Sequence, residues 1–173
     1  MGSRAPGAAV NRGARITLND PDYVFYLPVA EQAALRDEPA LGGTRQLTSE
    51  DENAFVRFAG EAPEADIDEA FVELDHWLVF GTFVDGRLVA AASMYPWEGT
   101  RLADLGVITL PDYRGRGLGG ATVRAISAHA IAMGYEPQYR CQRDNAPSVA
   151  LATSAGFTRF GEWEVIVRTG KTP

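Results

Sequence analysis

The sequence has little cysteine and no long apolar run, and both shortages narrow what the protein can be. Its single cysteine, Cys141, excludes an intramolecular disulfide and suits a reducing compartment. No apolar stretch reaches the roughly 18 to 20 residues that a membrane-spanning helix needs. Residues 1–14 also lack the apolar core of a signal peptide. We therefore expect a cytoplasmic protein without membrane contact, with residues 1–15 as a flexible N-terminal tail.

Positive charge is in deficit as well. The formal net charge is −7, which argues against a nucleic-acid partner because such proteins need basic surfaces to meet phosphates. An acidic protein could attract cationic substrates, although net charge does not place a site. The 173 residues, 46% of them hydrophobic, suffice for one domain with a sizeable core.

Glycines, by contrast, are concentrated in one stretch between a strand pattern and a helix pattern. The β-branched run Val107–Leu110 predicts a buried strand, and Pro111 and Asp112 end it. Four glycines and two arginines follow in Arg114-Gly-Arg-Gly-Leu-Gly-Gly120, and apolar residues at helical spacing continue to about Ala132. The stretch therefore predicts a strand, a glycine-rich turn and a helix in succession.

This order of elements suits an anionic ligand. The first turn of a helix presents unpaired N–H groups with partial positive charge, and glycines let the backbone approach a phosphate closely. Arg114 and Arg116 could add charge-assisted hydrogen bonds. We interpret the turn as a diphosphate cradle; a solvated turn with glycines for geometry alone is the alternative.

Two other nucleotide sites fit the stretch less well. The spacing Gly115-x-Gly-x-x-Gly120 matches the dinucleotide-binding fingerprint, but that motif should open a larger doubly wound sheet, and here little chain follows it. A nicotinamide or flavin enzyme is therefore a third hypothesis. A P-loop would need a Gly-Lys-Ser/Thr sequence, which does not follow the glycines.

The same residues resemble a known family. Arg114-Gly-Arg-Gly-Leu-Gly119 matches the Arg/Gln-x-x-Gly-x-Gly/Ala signature of the Gcn5-related N-acetyltransferase (GNAT) superfamily, which binds acetyl-CoA. Asn145-Ala-Pro-Ser148 and Ala155-Gly-Phe157 look like that family's second conserved block. The resemblance runs from about Thr44 to Thr169.

The resemblance implies an α/β (α+β) fold: a mixed, mostly antiparallel sheet of six to seven strands, with the family's fourth and fifth strands splayed, and about four helices. The pantetheine arm of acetyl-CoA would pair with the splayed strands, and the diphosphate would lie in the glycine turn. The implied binding residues are Val107, Ile108, Thr109, Arg114, Gly115, Arg116, Gly117, Leu118, Gly119, Gly120, Asn145 and Ser148.

Residues 16–43 precede the resemblance and predict an N-terminal extension of one strand and one short helix. Tyr23–Leu27 is strand-like, and Val29–Arg36 favours a helix. The strand could lie at the sheet edge, remain from a duplicated domain or form a dimer arm, so a homodimer is one hypothesis. The acetyltransferase domain would occupy residues 44–173.

The rest of the chain follows the family's order of elements. Helix patterns cover residues 48–59, 64–74 and 145–155, and strand patterns cover residues 45–47, 78–84, 87–95, 102–110, 138–142 and 162–167. Asp85-Gly86 predicts a hairpin turn. The acids of residues 64–74 read as a solvated face, with a funnel for the substrate as the alternative.

Acetyl transfer to an amine needs a base, a donor to the thioester oxygen and a proton for the leaving thiolate. The resemblance implies a main-chain N–H near Thr109 as the oxygen donor. It also exposes a departure, because Ala152 stands where many relatives carry the tyrosine that protonates the thiolate. Ser148, Tyr139 and Cys141 are the alternatives for that role.

The base is open in the same way. Some relatives use a glutamate on the fifth strand, where this chain has Arg140. The remaining candidates are Asp104, the Asp75-His76 pair and Glu73, and His76 has a side chain that titrates near neutral pH. We name Asp104, His76 and Ser148 as the candidate catalytic residues.

The expected function is acetyl transfer from acetyl-CoA to a primary amine of a small molecule or protein, by direct attack and without a metal. The alternative is a non-catalytic CoA-binding module that serves as a sensor or an interaction surface. Release of free thiol from acetyl-CoA in the presence of amines separates the two.

Overall fold

The computed structural model describes residues 15–18, 21–164 and 166–169, with only the backbone for the first and last of these ranges. The described helices are α1 (Val29–Asp37), α2 (Glu52–Glu61), α3 (Glu64–Ala70), α4 (Leu118–Ala132) and α5 (Ala146–Ser154). The described strands are β1 (Arg15–Leu18), β2 (Asp22–Tyr26), β3 (Thr44–Gln46), β4 (Leu78–Val84), β5 (Arg87–Pro96), β6 (Leu102–Thr109), β7 (Glu136–Gln142), β8 (Thr158–Trp163) and β9 (Ile166–Thr169).

Seven of these strands form one mixed sheet in the order β3-β4-β5-β6-β7-β2-β8. Its neighbouring strands are antiparallel except for β6 and β7, which are parallel. The predicted mixed, mostly antiparallel sheet is therefore confirmed. Strands β1 and β9 pair with each other in a separate two-stranded sheet.

Local sequence explains where several elements turn or begin. Asp85 and Gly86 both have positive φ, 50° and 77°, the conformation of the tight hairpin turn that joins β4 to β5. The side chain of Thr48 accepts a hydrogen bond from the N–H of Glu50 ahead of α2. Asn145 caps α5 by accepting from the N–H of Ser148 at 3.1 Å. These signals were all visible in the sequence.

The sheet separates two hydrophobic clusters. One contains side chains of α1, α4 and α5, such as Leu35, Ile126 and Ala152. The other contains Phe58 of α2 and is packed by Ala70 of α3. Helices therefore cover both faces of the sheet, as the core of a layered α/β domain requires.

The splay between β6 and β7 is present. The parallel ladder ends at the pair Leu105 and Tyr139. Beyond it, residues 106–109 remain paired with β5, whereas residues 140–142 pair with β2. The two strands thus diverge toward their carboxyl ends and leave a gap beside the glycine turn.

The sheet-edge interpretation of the N-terminal strand is wrong. Strand β2 lies inside the sheet, antiparallel to β7 on one side and to β8 on the other. Phe25 and Leu27, with Leu35 of α1, are buried in the larger cluster. The extension therefore shares its core with the rest of the sheet. The boundary at residue 44 stays a prediction, and the predicted tail, apart from Arg15, lies outside the described residues.

Two further expectations need correction. Helix α3 ends at Ala70 and not at Leu74, because Phe71 adopts a left-handed conformation with φ 49°. The last predicted strand is divided, since β8 ends at Trp163 and β9 belongs to the other sheet. The described residues contain five α-helices, namely the predicted helix of the extension, α1, and four helices in the family-matched part, as expected.

Candidate functional site

A cleft of about 770 Å³ opens where β6 and β7 diverge. It is lined by the free edge of β6, the glycine turn, the start of α5 and the end of α3. The fold therefore brings together the segments that were expected to bind the cofactor.

The free edge of β6 presents main-chain groups to the gap. Leu110 N–H donates to the carbonyl of Val89 in β5 at 2.9 Å, and main-chain direction alternates along a strand. Ile108 therefore also points its N–H and C=O toward β5. The corresponding groups of Val107 and Thr109 point the other way, into the gap, where no ladder to β7 continues. The Thr109 carbonyl accepts from Arg114 Nε, whereas the other groups need partners, which a ligand rich in amides could supply.

The three expected residues on this strand are not equivalent. Val107 and Thr109 both line the cleft. Ile108 is buried on the opposite face, in the cluster of α2 and α3. Its side chain therefore cannot contact a ligand in the gap.

The glycine turn leads directly into the first turn of α4. Gly117 has a left-handed φ of 76°, which L side chains rarely adopt, and no side chain caps the helix. Gly119 packs so closely on β6 that a Cβ there would lie 2.5 Å from Thr109 Oγ1. The turn thus directs uncapped N–H groups toward the cleft, which Gly115, Gly117, Leu118, Gly119 and Gly120 line.

The two arginines of the turn have separate surroundings. Arg114 lines the cleft, donates from Nε to the carbonyl of Thr109 at 3.0 Å and forms an ion pair with Asp66 of α3. The guanidinium of Arg116 lies over the ring of Tyr113, 5.1 Å from its centre, and Arg116 is not among the cleft-lining residues. Of the two, Arg114 therefore has the better position for a ligand in the cleft.

The start of α5 contributes two of the expected residues. Asn145 and Ser148 both line the cleft, and Asn145 Nδ2 also donates to Glu69 at 3.0 Å. The hydroxyls of Ser148 and Tyr139 are 2.7 Å apart. Burial raises the pKa of Tyr139, so that this phenol keeps its proton. Ala152 is fully buried, and it offers no side chain that could act on a ligand.

Asp104 lines the cleft but its oxygens are already occupied. It is buried and accepts from Arg140 Nε at 3.0 and 3.1 Å, from Gln138 Nε2 at 3.1 Å and from the Tyr95 hydroxyl at 3.2 Å. The hydrogen bonds with Asp104 raise the pKa of Arg140, whereas the partial burial of Arg140 opposes the rise. The Asp104 oxygens therefore have little room for a hydrogen bond to a further group.

His76 lies behind the cleft wall. Its Nδ1 is 2.8 Å from Ser93 Oγ, its Nε2 is 3.6 Å from Glu73, and its ring contacts Phe71 and Tyr95. Those two aromatic residues line the cleft, but His76 does not. Its catalytic role stays a prediction without support from a direct contact.

Cys141 faces the cleft from β7. Burial raises the pKa of its thiol, a hydrogen bond with Ser148 opposes the shift, and the charge of Asp22 adds to it. A thiol with a raised pKa holds less reactive thiolate at neutral pH. The surroundings of Cys141 therefore disfavour a role as a nucleophile.

Sequence reasoning missed Asp22 and Gly106. Asp22 reaches the cleft from β2, and no motif marks it. Gly106 lies at the start of the splay, where a Cβ would overlap the carbonyl oxygen of Ala70 at the end of α3. The one sequence signal for this contact is a glycine inside a strand pattern, which often marks the close approach of another backbone.

A sequence model of the acetyltransferase (GNAT) family matches residues 44–157. Among solved structures, a GNAT-family protein from Novosphingobium aromaticivorans superposes with a TM-score of 0.65 at 24% identity, covering 96% of this chain and 72% of that one. A GNAT-family acetyltransferase from Colwellia psychrerythraea gives 0.62 at 20% identity, covering 90% of this chain. The chain spans 58% of the Colwellia protein's length.

The GNAT domain of the S. lividans protein PAT gives a TM-score of 0.58 at 15% identity, covering 70% of this chain and 89% of that one. At these identities the structures are evidence for the fold alone. A comparison with curated protein sequences finds no significant match. In the described part of the chain, no helix has both the length and the apolar character to cross a bilayer.

Proposed function

The chain belongs to the acetyltransferase (GNAT) family, and on that premise we propose that it transfers an acetyl group from acetyl-CoA to a primary amine by direct attack. One observation carries the proposal: the unpaired main-chain edge of β6, the glycine turn and the start of α5 meet in one cleft.

In this proposal the cleft binds acetyl-CoA as a substrate. The diphosphate would lie against Gly115–Gly120, where the uncapped first turn of α4 favours an anion. The amides of the pantetheine arm would pair with the main-chain groups of Val107 and with the N–H of Thr109. Asn145 and Ser148 would border the arm from α5.

The chemistry requires few groups. The amine nitrogen attacks the thioester carbon, a C–N bond forms, and the C–S bond breaks with its electron pair moving to sulfur. A main-chain N–H of the open edge, near Thr109, would stabilise the developing oxygen charge. The Ser148 hydroxyl, backed by Tyr139 at 2.7 Å, would give a proton to the thiolate.

The acceptor would be cationic before it reacts. Both arginines among the described residues of the cleft lining, Arg114 and Arg140, are paired with an acid. The lining acids outnumber these arginines, and a field of that sign attracts an ammonium group. The acids are Asp22, Asp66, Asp68, Glu69 and Asp104.

A non-catalytic CoA-binding module is the second candidate. It is favoured by the buried alanine at position 152 and by the occupied oxygens of Asp104. Both proposals require CoA binding, but only the enzyme releases free thiol from acetyl-CoA when an amine is added.

The test compares Gly117→Glu with Gly117→Asn by calorimetry with CoA. A Cβ at this position meets no neighbouring atom, so that the variants differ in charge more than in packing. Glutamate would place a carboxylate beside the diphosphate, and we expect at least a 100-fold loss of affinity, on the order of the repulsion between close charges. Asparagine tolerates a positive φ and should stay within about tenfold of the wild type.

Wild-type protein is then assayed for thiol release with spermidine, a lysine peptide and tyramine. Release that depends on an amine and is lost in Gly117→Glu supports the enzyme. CoA binding without release from any amine supports the binding module. A wild-type protein that does not bind CoA contradicts both, and circular dichroism shows whether each variant is folded.

A further inference from the structure

We propose that Asp22, on a strand that precedes the family-matched segment, takes the proton from the acceptor's ammonium group at the mouth of the cleft. This inference rests on the proposed acetyltransferase function. The family match begins at residue 44, so that it says nothing of this position.

The sheet topology places Asp22 at the cleft. Strand β2 runs antiparallel to β7, and Asp22 lies opposite Gln142, the last residue of β7. Residues 140–142 are those that have separated from β6. Asp22 therefore lies at the open end of the splay, and its residue lines the same cleft as the glycine turn.

Arg140 contacts both Asp22 and Asp104, but its contact with Asp22 is the weaker one. Arg140 Nη1 is 3.7 Å from Asp22, beyond hydrogen-bonding distance, whereas Arg140 binds Asp104 through both Nε and Nη2. No side-chain hydrogen bond joins Asp22 to any other residue within 21–164. The Asp22 oxygens therefore have lone pairs that can still accept a hydrogen bond, whereas the Asp104 oxygens already accept several.

Charged and titratable groups reach Asp22 from several elements. β7 supplies the Arg140 guanidinium and the Cys141 thiol, and β6 supplies the Asp104 carboxylate, to which the Tyr95 hydroxyl of β5 donates. On β8 the residue opposite is Trp163, which does not titrate. The pKa of the Asp22 carboxyl is raised by burial, an effect that Arg140 opposes and that the negative charge of Asp104 reinforces.

The step is balanced without another reactant. The ammonium proton passes to the Asp22 carboxylate and leaves a neutral amine and a carboxylic acid. The neutral amine then attacks the thioester carbon, and Ser148 gives a proton to the leaving thiolate. The new amide nitrogen loses one proton, which replaces the proton that Ser148 gave. With a side chain that is 29% exposed, Asp22 can return its own proton to water after each turnover.

The experiment uses Asp22→Asn, with Glu162→Gln as the matched control. Glu162 lies on the adjacent strand β8, opposite Tyr23, is about half exposed and does not line the cleft. The rate constant kcat/KM is measured from pH 6 to 10 with the best amine of spermidine, a lysine peptide and tyramine. Affinity for CoA, and for that amine in the CoA complex, is measured by calorimetry.

Above the pKa of Asp22, wild-type kcat/KM should be nearly constant up to the pKa of the amine, about 10.4 for a lysine. In Asp22→Asn only the neutral amine reacts, so that kcat/KM should be at least about 100-fold lower at pH 7 and rise about tenfold per pH unit. The amine should bind about tenfold more weakly. CoA affinity and the melting temperature should match those of Glu162→Gln.

Several results overturn the inference. A wild-type pH profile retained by Asp22→Asn excludes Asp22 as the proton acceptor and leaves the acetyltransferase proposal intact. Equal losses in Asp22→Asn and Glu162→Gln, or a loss of CoA binding in Asp22→Asn, indicate a structural role. A wild type that binds CoA but acetylates no amine overturns the proposed function, and this inference with it.

Discussion

Position 148 matters because position 152 lacks a reactive side chain. On α5, residues four apart lie on the same face, so the Ser148 hydroxyl lies one turn before the buried Ala152. Ser148 also contacts Tyr139, whose pKa burial raises, and a protonated phenol can donate to the serine oxygen. The pair could therefore supply the proton that the missing tyrosine would have given.

Ser148→Ala tests this role at the residue scale. We expect kcat to fall by about 100-fold, the lower end of the range for general acid catalysis, because the thiolate loses its donor. Affinity for CoA should change less than threefold, since the Asn145 cap bonds to the main chain of residue 148. The control is Thr153→Ala on the same helix, whose hydroxyl bonds to the Val149 carbonyl and which should keep wild-type kcat. An unchanged kcat in Ser148→Ala would exclude the hydroxyl as the donor.

Single residues differed in how far the sequence could predict them. The left-handed glycines Gly115 and Gly117 are marked by a motif whose spacing has a local cause. Asp22 has no such signal, because its place at the cleft depends on which strands flank β2. Likewise, the occupied oxygens of Asp104 depend on Arg140 and Tyr95, which approach from neighbouring strands.

Helix α3 and strand β6 meet at a point that tolerates no side chain. Phe71 turns the chain with φ 49°, and the Ala70 carbonyl then lies against Gly106 at the start of the splay. This contact holds the acidic helix beside the cleft, where Asp66 pairs with Arg114. The close approach of the acidic helix to β6 thus depends on the absence of a side chain at residue 106.

Gly106→Ala should destabilise the fold by roughly 1–3 kcal/mol, the usual range for overpacking, and weaken amine binding before CoA binding. Its control, Gly60→Ala in α2, meets no atom within 4 Å. That variant should gain roughly 0.5–1 kcal/mol, because alanine favours a helix. Urea unfolding measures both. If Gly106→Ala were as stable as wild type, the close contact between α3 and β6 would be refuted.

Elements were more predictable than their ends. Strands β4 and β5 and helix α4 follow from apolar runs and clear turn residues, and the structure has them nearly as expected. The end of α3 could not be predicted, because Phe71 is not a residue that normally takes a left-handed φ. Its ring contacts His76 and Tyr95, and contacts of this kind between different elements are not visible in a local pattern.

At the scale of the whole molecule, the inserted strand changes what surrounds the site. β2 occupies the side of β7 that faces away from β6, which supports β7 while it separates from β6. Strand order depends on contacts between residues far apart in sequence, so hydrophobic patterning could predict the strand but not its neighbours. The family resemblance predicted that β6 and β7 diverge, but it did not predict where the strand of the N-terminal extension lies in the sheet.

The claim on which the rest depends is that the gap between β6 and β7 binds CoA through main-chain groups. Residue-resolved amide hydrogen exchange, with and without saturating CoA, tests it directly. The amides of Val107 and Thr109 should exchange at least tenfold more slowly with CoA, whereas Ile108, directed toward β5, should be protected in both states. Unchanged exchange at Val107 and Thr109 in protein that binds CoA would contradict the account, because the ligand would then lie elsewhere.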